Sequence, residues 1–93
     1  MCIALIGGMD RLHANYMATA RAAGHEIKCI AKNEKNFTGK IGKPDLVLIF
    51  TNKISHGARD KAVRAAKDMG IPCEMLHSCG VSSLKEFLRQ KDA

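Results

Sequence analysis

Aromatic side chains are scarce in this sequence: 4% of residues, with no Trp, one Tyr (Tyr16) and three Phe. Proteins that hold single-stranded nucleic acid stack bases on aromatic platforms, so that class is disfavoured. No apolar run reaches the length of a membrane span, and no membrane partner is expected. The apolar start, Met1-Cys2-Ile3-Ala4-Leu5-Ile6, lacks the basic region of a secretory signal and runs into Gly7-Gly8. A cytoplasmic protein is therefore expected. Cysteine is limited to Cys2, Cys29, Cys73 and Cys79, and no two have CxxC spacing. That spacing argues against a structural zinc site, and reduced thiols are expected in the cytosol.

What remains is an ordinary globular balance. The chain has 93 residues, 46% hydrophobic and 26% charged, which fits a single domain and rules out low-complexity classes. A domain this short buries a small core, so a homodimer is expected as a way to add burial. The net charge is +6. Seven basic residues stand against four acidic ones in the first 50 positions, and eight against five in the rest. The excess is spread evenly, which favours an acidic ligand or partner without naming one.

Short runs rich in branched residues alternate with helix-like segments. Cys2–Ile6, Glu26–Ala31, Asp45–Thr51 and Pro72–His77 have strand character, and Pro44 announces the third. Asp10–Ala23 is expected to be a helix, with Asp10 as its cap and Gly24 as its stop. Ser55–Met69 is expected as a second helix, with Ala58, Ala62, Val63, Ala66 and Met69 on one stripe. Gly70-Ile71-Pro72 ends it. Ser83-x-x-Glu86 has the pattern of a capping box opening a last helix with Leu84, Phe87 and Leu88. The connection Lys32–Lys43 has room for a short helix around Asn33–Thr38. This order predicts an α/β fold: a small doubly wound, Rossmann-like or flavodoxin-like parallel sheet of four strands in the order 2-1-3-4, helices on both faces.

In such sheets ligands bind beyond the carboxyl ends of the strands, where the strand order reverses. Three polar loops are expected there: Gly7-Gly8-Met9-Asp10-Arg11, Thr51-Asn52-Lys53-Ile54-Ser55-His56-Gly57 and His77-Ser78-Cys79-Gly80. Gly7-Gly8 opening a helix can bring backbone N–H groups to an anion, and Arg11 adds a forked cation. The plainer reading is a tight turn that needs glycine, and Asp10 at the cap would repel an anion. Ser55 is expected to cap the second helix and His56 to lie in its first turn, where the dipole disfavours the imidazolium. His77 ends the fourth strand beside Ser78. Two imidazoles on one edge can hydrogen-bond, accept a proton or hold a metal, although a single loop histidine is usually ordinary surface. His13 is a third candidate, and His25 falls at the opposite edge. The carboxylates expected near the carboxyl edge are Asp10, Asp45 and Asp60, too scattered for a paired acid/base site. Cys79 is either a thiol near a helix start or a small loop residue.

Gly7-Gly8-x-Asp10-Arg11, Lys40-Ile41-Gly42-Lys43-Pro44-Asp45-Leu46-Val47, Phe50-Thr51 with Ser55-His56, and Ile71-Pro72 leading to His77-Ser78 resemble a small bacterial family, domain of unknown function 2325. The resemblance runs over about residues 1 to 90. It implies a compact doubly wound α/β domain in the bacterial cytoplasm and brings no established activity. Its recurring pattern includes the positions of Asp10, Arg11, Thr51, Ser55, His56, His77 and Ser78, whereas Cys79 and Gly80 are less typical.

The expectation is a non-enzymatic ligand-binding or sensor domain. Gly7, Gly8, Asp10, Arg11, Thr51, Lys53, Ser55 and Ser78 would hold a small anionic ligand. His56 and His77 would coordinate a transition metal or the iron of haem, whose propionates suit the basic residues. Two alternatives are a small enzyme using His56 as base with Ser78 or Cys79 as nucleophile, and a nucleic-acid-associated module using Arg59, Lys61, Arg64 and Lys67.

Overall fold

The computed structural model describes residues 1–30 and 44–92. The short helix considered for Asn33–Thr38 lies outside them. In chain order the elements are β1 (Cys2–Gly7), a 3-10 turn (Asp10–Leu12), α1 (His13–Ala22), β2 (Glu26–Ile30), β3 (Leu46–Phe50), a 3-10 turn (Thr51–Lys53), α2 (His56–Asp68), β4 (Cys73–Leu76) and α3 (Val81–Asp92). The four strands are parallel and ordered β2-β1-β3-β4, as the alternation of segments predicts.

The two central strands have no polar face. Ile3 to Ile6 on β1 and Leu46 to Phe50 on β3 are all buried, as strands covered on both sides must be. Ile3, Leu5, Leu48 and Phe50 pack with Tyr16 and Ala20 of α1 and with Leu84, Phe87 and Leu88 of α3. Ala4, Ile6, Val47 and Ile49 pack on the other face against Ala62, Ala65 and Ala66 of α2. The alanine stripe lets α2 lie close to the sheet, and the bulk comes from the strands. Among the described residues no helix is long and apolar enough to cross a membrane.

The helix ends correct the sequence reading twice. The first helix begins at His13, after a 3-10 turn, and its N-cap position is Leu12 rather than Asp10, with no side-chain cap hydrogen bond. The last helix begins at Val81, so Ser83 and Glu86 lie inside it and form no capping box. Its first turn is set by the backbone, with Leu84 N–H donating to the Gly80 carbonyl at 3.2 Å. The middle helix is as expected: Ser55 Oγ accepts from Ala58 N–H at 3.2 Å and satisfies one of the orphan donors of α2.

Candidate functional site

The strand order reverses between β1 and β3, where Gly7 and Phe50 are register partners at the carboxyl end of the sheet. Both glycines of the first loop are required by geometry. Gly7 has φ +87, and a Cβ there would meet the Phe50 carbonyl oxygen at 2.8 Å. Gly8 has φ +81, and its Cβ would lie 2.9 Å from the Phe50 ring and 3.2 Å from the Tyr16 ring. Left-handed backbone and close packing thus account for the Gly-Gly pair.

Tyr16 is the residue that composition alone passes over. It is fully buried on α1. Its hydroxyl donates to the Cys79 carbonyl and accepts from Met9 N–H at 3.4 Å. Its ring packs on Phe50, with centroids 5.3 Å apart. One side chain therefore ties the loops that follow β1 and β4 to the end of β3. Burial raises the phenol above its ordinary value of 10.0, so it stays a hydrogen-bond donor at neutral pH. The signal available in the sequence is the spacing Leu12, Tyr16, Ala20, a buried stripe at helical period with one polar tip.

The expected binding residues are distributed as follows. Gly7 and Gly8 are buried; Arg11 is exposed, with its guanidinium 3.9 Å from the Met9 sulfur. Asp10 and Lys53 belong to the two 3-10 turns at this edge. Thr51 is half-buried and leaves the sheet directly after Phe50. Ser55 and His56 are exposed at the start of α2. His77 and Ser78 are exposed after β4, and Ser78 Oγ accepts from Gly80 N–H at 3.4 Å. Because Leu76 is in register with Phe50, Thr51 and His77 leave neighbouring strands at the same level.

Other residues fall elsewhere. Asp45 precedes β3 and accepts from Cys2 N–H at 2.8 Å, so it sits at the amino end of the strands, opposite the candidate edge. The expectation that placed it near the ligand edge is corrected: it secures the start of β1. His25 lies at the same amino end, 2.9 Å from the N-terminal ammonium. His13 is half-buried beside Tyr16, with ring centroids 6.3 Å apart. Cys79 is buried in the core with Tyr16 and Leu84, a packing position rather than that of an accessible nucleophile. Asp60 pairs with Arg59 at 3.7 Å on α2. Among the described residues no three His, Cys, Asp or Glu side chains group as a metal site.

Hollows lie away from this edge. One of about 400 Å³ runs between α1 and α3, lined by Ala18, Thr19, Ala22, Ala23, Lys85 and Arg89. Another of about 400 Å³ lies between α2 and β4.

A family model described as "Uncharacterized protein conserved in bacteria (DUF2325)" matches residues 2–91. No curated protein and no solved structure matches the chain.

Proposed function

The chain belongs to this bacterial family, and from its own residues we propose that it is a non-enzymatic ligand-binding domain that takes an anionic ligand at the carboxyl edge of its sheet. The observation that carries the proposal is the joining of the loops after β1 and β4 to the end of β3, at the strand-order reversal. Tyr16 holds the Met9 and Cys79 loops against Phe50, and the Gly7-Gly8 turn packs on the same residues. Pre-organisation of that kind lowers the entropic cost of binding. Arg11 and Lys53 supply positive charge. Ser55, His56, His77 and Ser78 supply hydrogen-bonding groups. Ser55 Oγ is engaged as a cap yet keeps its O–H to donate. The burial of Cys79 favours binding over thiol chemistry.

Haem is the specific metal-bearing candidate within this class, with His56 and His77 as its ligands. The negative charge of its propionates suits a chain with net charge +6. The test is a thermal-shift series with inorganic phosphate, nucleoside monophosphates and haem, with an absorbance titration alongside for haem. A true ligand at about 100 times its Kd adds roughly 2.7 kcal/mol to stability, a shift of roughly 10–20 °C for a domain of this size. The proposal predicts a saturable shift that Arg11→Ala and Lys53→Ala both weaken. A Soret band that saturates and is lost in His56→Ala or His77→Ala identifies haem; a featureless titration removes it. If no anion shifts the melting temperature, or the shift survives both cation substitutions, the reading is wrong.

A further inference from the structure

We infer that the outer edge of β4 is a docking site for an extended acidic segment of a partner protein, which adds to the sheet as a further strand.

β4 stands last in the order β2-β1-β3-β4, and among the described residues no strand pairs with its outer side. Residues of a parallel strand turn their N–H and C=O groups alternately to one neighbour and the other. Val47 N–H donates to the Pro72 carbonyl at 2.9 Å. Pro72, Glu74 and Leu76 therefore turn toward β3, and Cys73 and Met75 turn their amides and carbonyls outward. Natural edge strands are guarded by shortness, charge (lysine above all), proline or bulges. β4 is short, follows Pro72 and carries Glu74, but Glu74 is matched by Lys91, and Met75 is left 48% exposed, the most open of the large apolar residues described.

The hollow beside this edge defines what would fit. It holds about 400 Å³, with Val63 and Met75 as apolar surface and Arg59, Arg64 and Lys67 as cations. Asp60 is the one acid among its lining residues and is paired with Arg59. On the other face of the strand, Glu74 is already matched by Lys91, whose ammonium also lies 5.6 Å from the Phe87 ring centroid. The uncommitted charge at the edge is therefore positive. An added strand presents alternate side chains to this hollow, an apolar one against Met75 and acidic ones against the cations.

Charge decides between occupants. A second copy pairing antiparallel through Met75 would bring two sets of Arg59, Arg64 and Lys67 side by side, on a chain already at net +6. Nucleic acid would neutralise the cations but would leave the outward amides and the apolar floor unused. An acidic extended peptide uses all three features.

The test is fluorescence polarisation with a fluorescein-labelled peptide alternating Glu with Val. Saturable binding is expected, weakened at least tenfold in the double variant Arg64→Glu/Lys67→Glu, with circular dichroism to verify folding. The same peptide methylated on every backbone nitrogen should lose at least tenfold, because it cannot donate to the edge; this arm alters only the probe. A peptide alternating Lys with Val should not bind. Equal affinity for the methylated peptide would overturn strand addition. Tighter binding of oligodeoxythymidine than of the acidic peptide would mark a nucleic-acid surface instead. A dimer in which the Cys73 and Met75 amides are already protected from hydrogen exchange would assign the edge to a second copy.

Discussion

The Tyr16 hydroxyl donates to the Cys79 carbonyl, 63 residues away in sequence, from a side chain with no exposed surface. This bond joins the first helix to the loop that opens the last one. With the Met9 amide as a second partner, it makes Tyr16 the common support of two loops at the candidate site.

Tyr16→Phe keeps the ring against Phe50 and removes both bonds. The buried Cys79 carbonyl then loses its partner, which costs about 1–3 kcal/mol. Urea unfolding should show this loss with an unchanged m-value, and hydrogen exchange should quicken at Met9 and Gly80. Full stability in the variant would show that the bond does not hold the loops.

Gly8→Ala places a methyl group 2.9 Å from the Phe50 ring on backbone at φ +81. Both effects destabilise, together by roughly 2–4 kcal/mol. Shortening the obstacle with Phe50→Leu should recover part of the steric share, so the double variant should lose less than the sum of the singles. Strict additivity in a thermal-unfolding cycle would assign the cost to backbone conformation alone.

Ser55→Ala removes the oxygen that accepts from Ala58 N–H and should cost about 0.5–2 kcal/mol. Ser55→Asp keeps an acceptor at the cap and should recover most of it, while placing a negative charge at the edge proposed for an anion. The proposed site predicts that Ser55→Asp restores stability but weakens ligand binding. Recovery of both would separate Ser55 from the ligand.

Burial pushes the Cys29 thiol up from 9.0 to about 11, and burial, with a smaller contribution from Glu74, also raises Cys73. The thiolate is the reactive form, so iodoacetamide at neutral pH should label both more slowly than a free thiol. The folded state holds the Cys29 proton more tightly than the unfolded chain does. Its contribution to stability is therefore complete below pH 9.0 and is lost as pH rises toward about 11. Chemical denaturation should show a steeper fall over that window in the native sequence than in Cys29→Ala. Parallel curves would contradict the shift.

The strand order and the doubly wound architecture were legible because the local signals agree. Branched apolar runs mark β1 and β3, and Ser55 and Gly70 bracket α2 as helix punctuation does. The starts of α1 and α3 were less legible. Asp10 resembles a cap, yet a 3-10 turn intervenes before His13; Ser83 and Glu86 have capping spacing, yet the helix has already begun at Val81. Spacing alone does not distinguish a cap from the same residues one turn in. Asp45 was legible: it opens the third strand, and in a parallel sheet the residue that opens a strand lies at the amino end, away from the carboxyl edge, as its bond to Cys2 N–H shows. The role of Tyr16 was hidden. A period of four places it in the core, but only tertiary structure shows which loops its hydroxyl reaches.

The most direct test of the central claim is a two-dimensional amide spectrum of the isotope-labelled 10.1 kDa chain during titration with nucleoside monophosphates and inorganic phosphate. An anionic ligand at the carboxyl edge predicts saturable shifts at Gly7, Gly8, Arg11, Thr51, Ser55, His56 and Ser78. Shifts confined to Thr19, Ala22, Lys85 and Arg89 in the hollow between α1 and α3, or no saturable shifts with any of these anions, would contradict it.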